Sequence, residues 1–239
     1  MAPPGPAAGG GPGRGGSRQG GAGSVQVVLL GLPGAGKGTQ AALLAERLGV
    51  PHIATGDMFR AAVAADSPLG KRVQAIMESG AYVPDGLTIE VMRERLGQPD
   101  CAAGAVLDGF PRTVAQADAL DGMLADRGRG VDAALLLEVA EDAVIARLAL
   151  RRVCPRCKAT YHLETAPPGP GGRCTRCGTP VVVRADDRED VQRRRLATYR
   201  RETEQLLPHY AARGLLVRVD GAGAVAEVAA RVAKAVGAA

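Results

Sequence analysis

Two sets of residues in this chain could do chemistry by their types and spacing alone. The first is the run GLPGAGKGT at positions 31–39, preceded by an apolar stretch at 25–30 and followed by a helix-like pattern at 39–48. A buried strand, a glycine turn and a helix in that order form a cradle for phosphate. Backbone N–H groups and the positive end of the helix dipole point at the anion, and a lysine closes over it. Glycines let the backbone curl and approach the phosphate oxygens where a Cβ would intrude. In the common form of this loop a Ser or Thr directly follows the lysine and holds magnesium. Here Gly38 follows Lys37 and the hydroxyl comes one place later, at Thr39. A glycine turn without a ligand is the plain alternative, but Lys37 and Thr39 in register behind the glycines favour phosphate.

The second set is Cys154-x-x-Cys157 and Cys174-x-x-Cys177, with sixteen residues between the pairs. Each pair can present two thiolates from one tight knuckle, and a hairpin between them would bring all four onto one tetrahedral ion, zinc by preference. Two disulfides are the competing reading, disfavoured for a chain read as cytoplasmic because it shows no signal-peptide pattern. Four cysteine ligands leave no open coordination position, so the expected role is to fold a short flap that lacks a core of its own. Cys101 stands apart from these four and reads as structural.

The remaining chain must position these groups. The 239 residues suffice for one α/β domain with an insertion, or for two small domains, and the apolar fraction of 46% is ordinary for a globular protein. With no Trp, two Phe and four Tyr, recognition of a base cannot rest on an aromatic platform. The net charge of +5 suits a polyanionic small ligand. Without a run of five or more basic residues, nucleic acid is the weaker reading. Residues 1–24 hold fourteen Gly and Pro and read as a disordered leader. From 25 onward, strands are expected at 25–30, 50–54, 105–108, 133–137 and 215–219. Helices are expected at 39–48, 68–79, 87–96, 113–126, 141–150, 187–210 and 225–236, with the cysteine segment at 152–183. Strands alternating with helices behind a phosphate loop predict a parallel sheet covered on both faces.

The phosphate loop, TGDMFR at 55–60, LDGFPR at 107–112 with Gln116, the cysteine segment, RADD at 184–187 and Arg195-Leu196 occur in this order. Together they resemble the adenylate kinases, in the long form with a zinc-binding lid, from residue 25 onward. The resemblance implies a P-loop nucleotide-binding fold of the α/β class: a five-stranded parallel sheet flanked by helices, an AMP-binding helical insertion at 54–83 and a zinc lid at 151–188. It implies magnesium-dependent transfer of the γ-phosphoryl group of ATP to AMP, giving two ADP, by a cytoplasmic monomer that engages neither nucleic acid nor membrane. For ATP it implies Gly34, Ala35, Gly36, Lys37, Gly38, Thr39, Arg147, Arg151, Thr160, Tyr161 and Gly223. For AMP it implies Thr55, Arg60, Ala81, Tyr82, Val83, Gly109, Phe110, Pro111, Arg112, Gln116, Arg184 and Arg195. The turn at 81–83 is expected to act through its backbone, leaving its side chains free to vary.

The physics of the reaction agrees with such a set. Phosphoryl transfer asks a protein for positioning and charge neutralisation, and Lys37, Arg112, Arg147, Arg151, Arg184 and Arg195 supply both. Asp108, at the end of a buried strand, is placed to hold magnesium through water. The Gln116 amide could pair with a purine edge. Arg152, Arg193, Arg194, Arg200 and Arg201 read as solvated surface groups. Other nucleotide pairs, such as GTP with AMP or ATP with UMP or CMP, stay open, as does a zinc protein that drives nucleic acid with its phosphate loop.

Overall fold

The computed structural model describes residues 24–238. The leader expected at 1–24 lies outside them except for Ser24. The chain runs β1 (Val25–Leu30), α1 (Lys37–Leu48), β2 (His52–Ala54), α2 (Thr55–Ala64), α3 (Pro68–Ser79), α4 (Asp85–Leu96), β3 (Gly104–Asp108) and α5 (Val114–Ala125). It continues with β4 (Ala133–Glu138), α6 (Glu141–Leu150), β5 (Arg151–Val153), β6 (Thr160–His162), α7 (Glu189–Thr198), α8 (Leu206–Ala211), β7 (Leu216–Asp220) and α9 (Val225–Ala235).

Five strands form a parallel sheet in the order β2-β3-β1-β4-β7, as the alternation of strands and helices predicted. Side chains alternate across a strand, so β1 serves both faces. Val28 and Leu30 join Met92, Leu120 and Tyr210 from α4, α5 and α8. Val27 and Leu29 join Leu44, Val144 and Val232 from α1, α6 and α9. Burial on both faces explains why the central strands read as unbroken apolar runs. In such an open sheet the ligand crevice lies beyond the C-terminal strand ends, where β1 delivers the phosphate loop and β3 delivers Asp108.

Two smaller bodies project over that edge. Helices α2 and α3 enclose a small core of Phe59, Val73 and Val83. They meet so closely at Gly70 that a Cβ there would lie 2.2 Å from the Ala62 carbonyl oxygen. The cysteine segment is the antiparallel pair β5–β6, extended by a bridge between Val153 and Val182. It has its own cluster of Cys154, Tyr161 and Cys174.

The continuous helix expected at 187–210 is corrected. After α7 the backbone widens through Tyr199–Thr203, with Glu204 N donating to Tyr199 O at 3.1 Å, and α8 restarts at Leu206. Pro208 has no N–H to offer the Glu204 carbonyl, so a regular helix cannot run through this stretch. Among the described residues no helix is long and apolar enough to cross a membrane.

Candidate active site

The phosphate loop owes its shape to positive φ at Gly31 and Gly34, 137° and 91°. A Cβ on Gly34 would stand 2.7 Å from Cγ of Leu148, so α6 packs directly against the loop. Helix α1 begins at Lys37, two residues earlier than predicted, and no side chain caps it, so its first N–H groups stay free for an anion. Lys37 folds back over the loop, with Nζ donating to the carbonyls of Gly31 at 2.7 Å and Leu32 at 2.9 Å. The unusual Gly38 also has a spatial reason: a Cβ there would come within 3.2 Å of Asp108 Oδ2. The start of α1 can therefore press against the carboxylate at the end of β3.

Around this loop lies a crevice of about 1000 Å³, lined by residues 34–39, Asp108, Arg147, Arg151, Thr160 and Gly223 among others. A smaller recess beside it is walled by Thr55, Phe59, Ala81, Val83, Thr88 and Gln116. Arg60, Tyr82, Gly109, Arg112 and Arg195 line both. Arg184 and Pro111 face the crevice.

Some predicted residues are placed differently from their expected use. Phe110 is fully buried in the core behind the recess, so its ring is not available to a ligand. The Gln116 amide is engaged at both ends: Nε2 donates to Asp85 Oδ1 at 2.6 Å and Oε1 accepts from Arg112 N at 2.8 Å. The Thr55 hydroxyl donates to Gly109 O at 2.8 Å. Both side chains thus shape the recess, holding the 109–112 turn against α2 and the start of α4. Tyr161 lines the crevice, yet its hydroxyl is committed to the cysteines. The turn at 81–83, expected to act mostly through its backbone, also engages a side chain: the Tyr82 ring lies against Arg112 and its hydroxyl bonds Thr203.

The acids that organise the arginines were missed in the sequence. Asp186 accepts from Arg184 Nε at 2.9 Å and Nη2 at 2.5 Å and from Arg195 Nη1 at 3.0 Å, with Arg60 3.8 Å away. The fully buried carboxylate of Asp187 is clasped by Arg151 through two nitrogens. The signal was the adjacent acid pair following Arg184, whose partners only the tertiary fold brings together.

Cations still dominate. Burial lowers Lys37 to about 8; Asp108 opposes the fall, and the guanidiniums of Arg112, Arg195 and Arg151 add to it. Burial likewise lowers Arg195 to about 10, against the pull of Asp186 and with the help of Arg112 and Arg184. Asp108 is held below the usual carboxylate range even though burial pushes it upward, because His52, Lys37 and Arg112 favour its charge. Cations that depress one another make a strong site for a polyanion. Arginines outside the crevice instead pair with surface acids, Arg193 with Glu189, Arg194 with Asp190 and Arg201 with Glu202.

All four lid cysteines are free, and their sulfurs lie within 4.8 Å of one another. The closest approaches run across the knuckles, Cys154 to Cys177 at 3.4 Å and Cys157 to Cys174 at 3.3 Å. These separations exceed a disulfide bond of about 2.05 Å. They fall near the edge of about 3.8 Å that a tetrahedron of thiolates about 2.3 Å from a zinc ion would have. Each knuckle turns on a left-handed residue after its second cysteine, Lys158 at φ 61° and Gly178 at φ 72°. Tyr161 donates its hydroxyl to Cys174 Sγ at 3.1 Å and accepts from Thr175 N at 2.9 Å, the kind of outer contact that fixes a metal ligand. This group could hold a thiophilic ion.

Comparison with known proteins follows the same lines. The family model described as adenylate kinase matches residues 29–215. An adenylate kinase of Moorella thermoacetica is 49% identical over 213 residues, covering 89% of this chain and 98% of that protein. One from Anaeromyxobacter sp. (strain Fw109-5) is 52% identical over 197 residues, 82% of this chain and 92% of the relative. Another, from Ruminiclostridium cellulolyticum, is 45% identical over 213 residues and is matched along 100% of its length.

Proposed function

This chain belongs to the adenylate kinase family, and from that footing we propose that it transfers the γ-phosphoryl group of ATP to AMP, reversibly and with magnesium, giving two ADP. One observation carries the reading: the two recesses meet at Arg60, Arg112 and Arg195. Two nucleotides bound end to end would bring their phosphates together at these three arginines.

In this reading the donor triphosphate lies over residues 34–39, where Lys37 exchanges the loop carbonyls for phosphate oxygens. Arg147, Arg151, Thr160, Tyr161 and the backbone at Gly223 border the donor. The acceptor lies against Thr55, Ala81, Tyr82, Val83, Gly109 to Arg112 and Gln116. Its phosphate is met by Arg60, Arg184 and Arg195 once they turn from Asp186. Lys37 and the arginines neutralise charge on the moving group, and their fixed positions supply most of the catalysis. Asp108 and Thr39 offer the oxygen ligands that magnesium prefers. When bound there, magnesium supplies charge neutralisation and orientation to the donor phosphates. The cysteine segment, 151–188, acts as a lid that keeps water from the donor, and zinc on its four thiolates gives it a fold. The helical insertion at 54–83 carries the acceptor. The enzyme works as a cytoplasmic monomer on free nucleotides, and the surface pairing of its outer arginines speaks against a nucleic-acid partner.

Purified protein assayed with ATP, magnesium and a panel of nucleoside monophosphates tests this directly. Rapid ADP formation with AMP, and at least 100-fold slower transfer to UMP, CMP or GMP, is the expected outcome. ATP turnover that depends on added DNA or RNA, or a preference for another acceptor, overturns it.

A further inference from the structure

Arg60, Arg151, Arg184 and Arg195 all rest on carboxylates of Asp57, Asp186 or Asp187. Arg112, which lines both recesses, is held without one. Its Nε donates to Gly109 O at 2.8 Å, fixing one edge of the guanidinium. Its face lies over the Tyr82 ring, with Cζ 4.7 Å from the centroid, inside the range of a cation–π contact. Among the described residues neither Nη atom of Arg112 has a hydrogen-bond or ion-pair partner.

The Tyr82 ring is itself tethered. Its hydroxyl lies 2.8 Å from Oγ1 of Thr203, a residue 121 positions away in the chain. Thr203 is buried in the widened turn Tyr199–Thr203. An arginine held by a carboxylate must release that anion before phosphate can take its place, and its charge is largely cancelled until then. An aromatic face holds the guanidinium from behind, leaves the charge in place and keeps both Nη groups pointed at the ligand.

We propose that Tyr82 is a positioning residue: its ring, anchored by Thr203, presents Arg112 to the phosphate shared by the two recesses. The proposal rests on the kinase reading, since that reading assigns the phosphate. It adds that the side chain at position 82, beyond its backbone, sets acceptor binding and transfer.

The test compares Tyr82→Leu, Tyr82→Phe and Thr203→Val in steady-state kinetics with both substrates varied, and in calorimetric titration of AMP. Tyr82→Leu is expected to lower kcat/KM for AMP about tenfold while the KM for ATP moves less than twofold. Tyr82→Phe keeps the ring and should recover about half of that loss in free-energy terms, remaining about threefold below wild type. Thr203→Val should match Tyr82→Phe, and their combination should be no worse than either. AMP titration of Arg112→Ala, alone and with Tyr82→Leu, should show that the second change adds nothing once the guanidinium is gone. Equal losses for the Phe and Leu variants, additive losses with Arg112→Ala, or AMP kinetics of Tyr82→Leu within twofold of wild type would overturn the role. A wild-type enzyme that makes no ADP from AMP would sink the kinase reading instead, so the two failures are distinguishable.

Discussion

Lys37 sits at the point where the demands of folding and of ligand binding oppose each other. Burial and three guanidiniums bring it to about 8, against an ordinary value of 10.5. In the free protein its charge is therefore disfavoured, and the lysine contributes more favourably to stability as pH rises from about 8 toward 10.5. A bound polyphosphate reverses that preference. ATP affinity should hold up to about pH 8 and then fall as the free enzyme loses the lysine proton, and binding near pH 8–9 should take up protons. Calorimetry in two buffers of different ionisation enthalpy measures the uptake, and Lys37→Met should abolish it. The same substitution should lower phosphoryl transfer by about 100-fold or more with no fall in Tm at neutral pH, because a transition-state contact is lost while a charge disfavoured by burial is removed; turnover and a melting curve check both halves. Residues of this kind were legible from type and spacing because the loop is a local structure. Asp186, Asp187 and the Tyr82–Arg112 contact were not, since each depends on groups that only the tertiary fold brings within reach.

At the scale of elements, local rules worked where local forces dominate. The central strands announced themselves as apolar runs, and Ser67 caps α3 by accepting from Gly70 N at 3.0 Å, with Pro68 in the first turn. The 187–210 segment failed because its helical composition hides a change of hydrogen-bond pattern ahead of Pro208. Gly70 gives an element-level prediction. A methyl group there would lie 2.2 Å from the Ala62 carbonyl oxygen and 2.7 Å from Cα of Val63. Both are backbone atoms, so the α2–α3 pair must spread. Gly70→Ala should cost about 1–3 kcal/mol of stability, seen in denaturant melts, and should raise the KM for AMP more than that for ATP. The cysteine knuckles give another. Removal of the metal by a chelator should make the 151–188 segment protease-sensitive at its β5–β6 turn, while elemental analysis of untreated protein should find one zinc per chain. Digestion that is unchanged after verified metal loss would contradict the assignment.

Across the whole molecule, the sheet and its two covered faces form one frame, while α2–α3 and the cysteine segment carry separate small cores. The fold class was readable because the phosphate loop, the alternation of elements and the buried strands all point to the same architecture. The relative placement of the two projecting bodies was not, since no local pattern encodes which surfaces they overhang. Separate cores also mean separate stabilities: each projecting body can open without the sheet unfolding. For the lid, whose cluster is built largely from the cysteines proposed to hold zinc, this has a consequence for fidelity. On the proposed zinc-held lid, a cell short of zinc would keep a folded, nucleotide-binding enzyme, but one in which water competes with AMP for the same phosphoryl group. The ratio of inorganic phosphate released to ADP formed should rise several-fold in metal-stripped enzyme and return when zinc is restored, making the accuracy of the reaction a readout of metal supply.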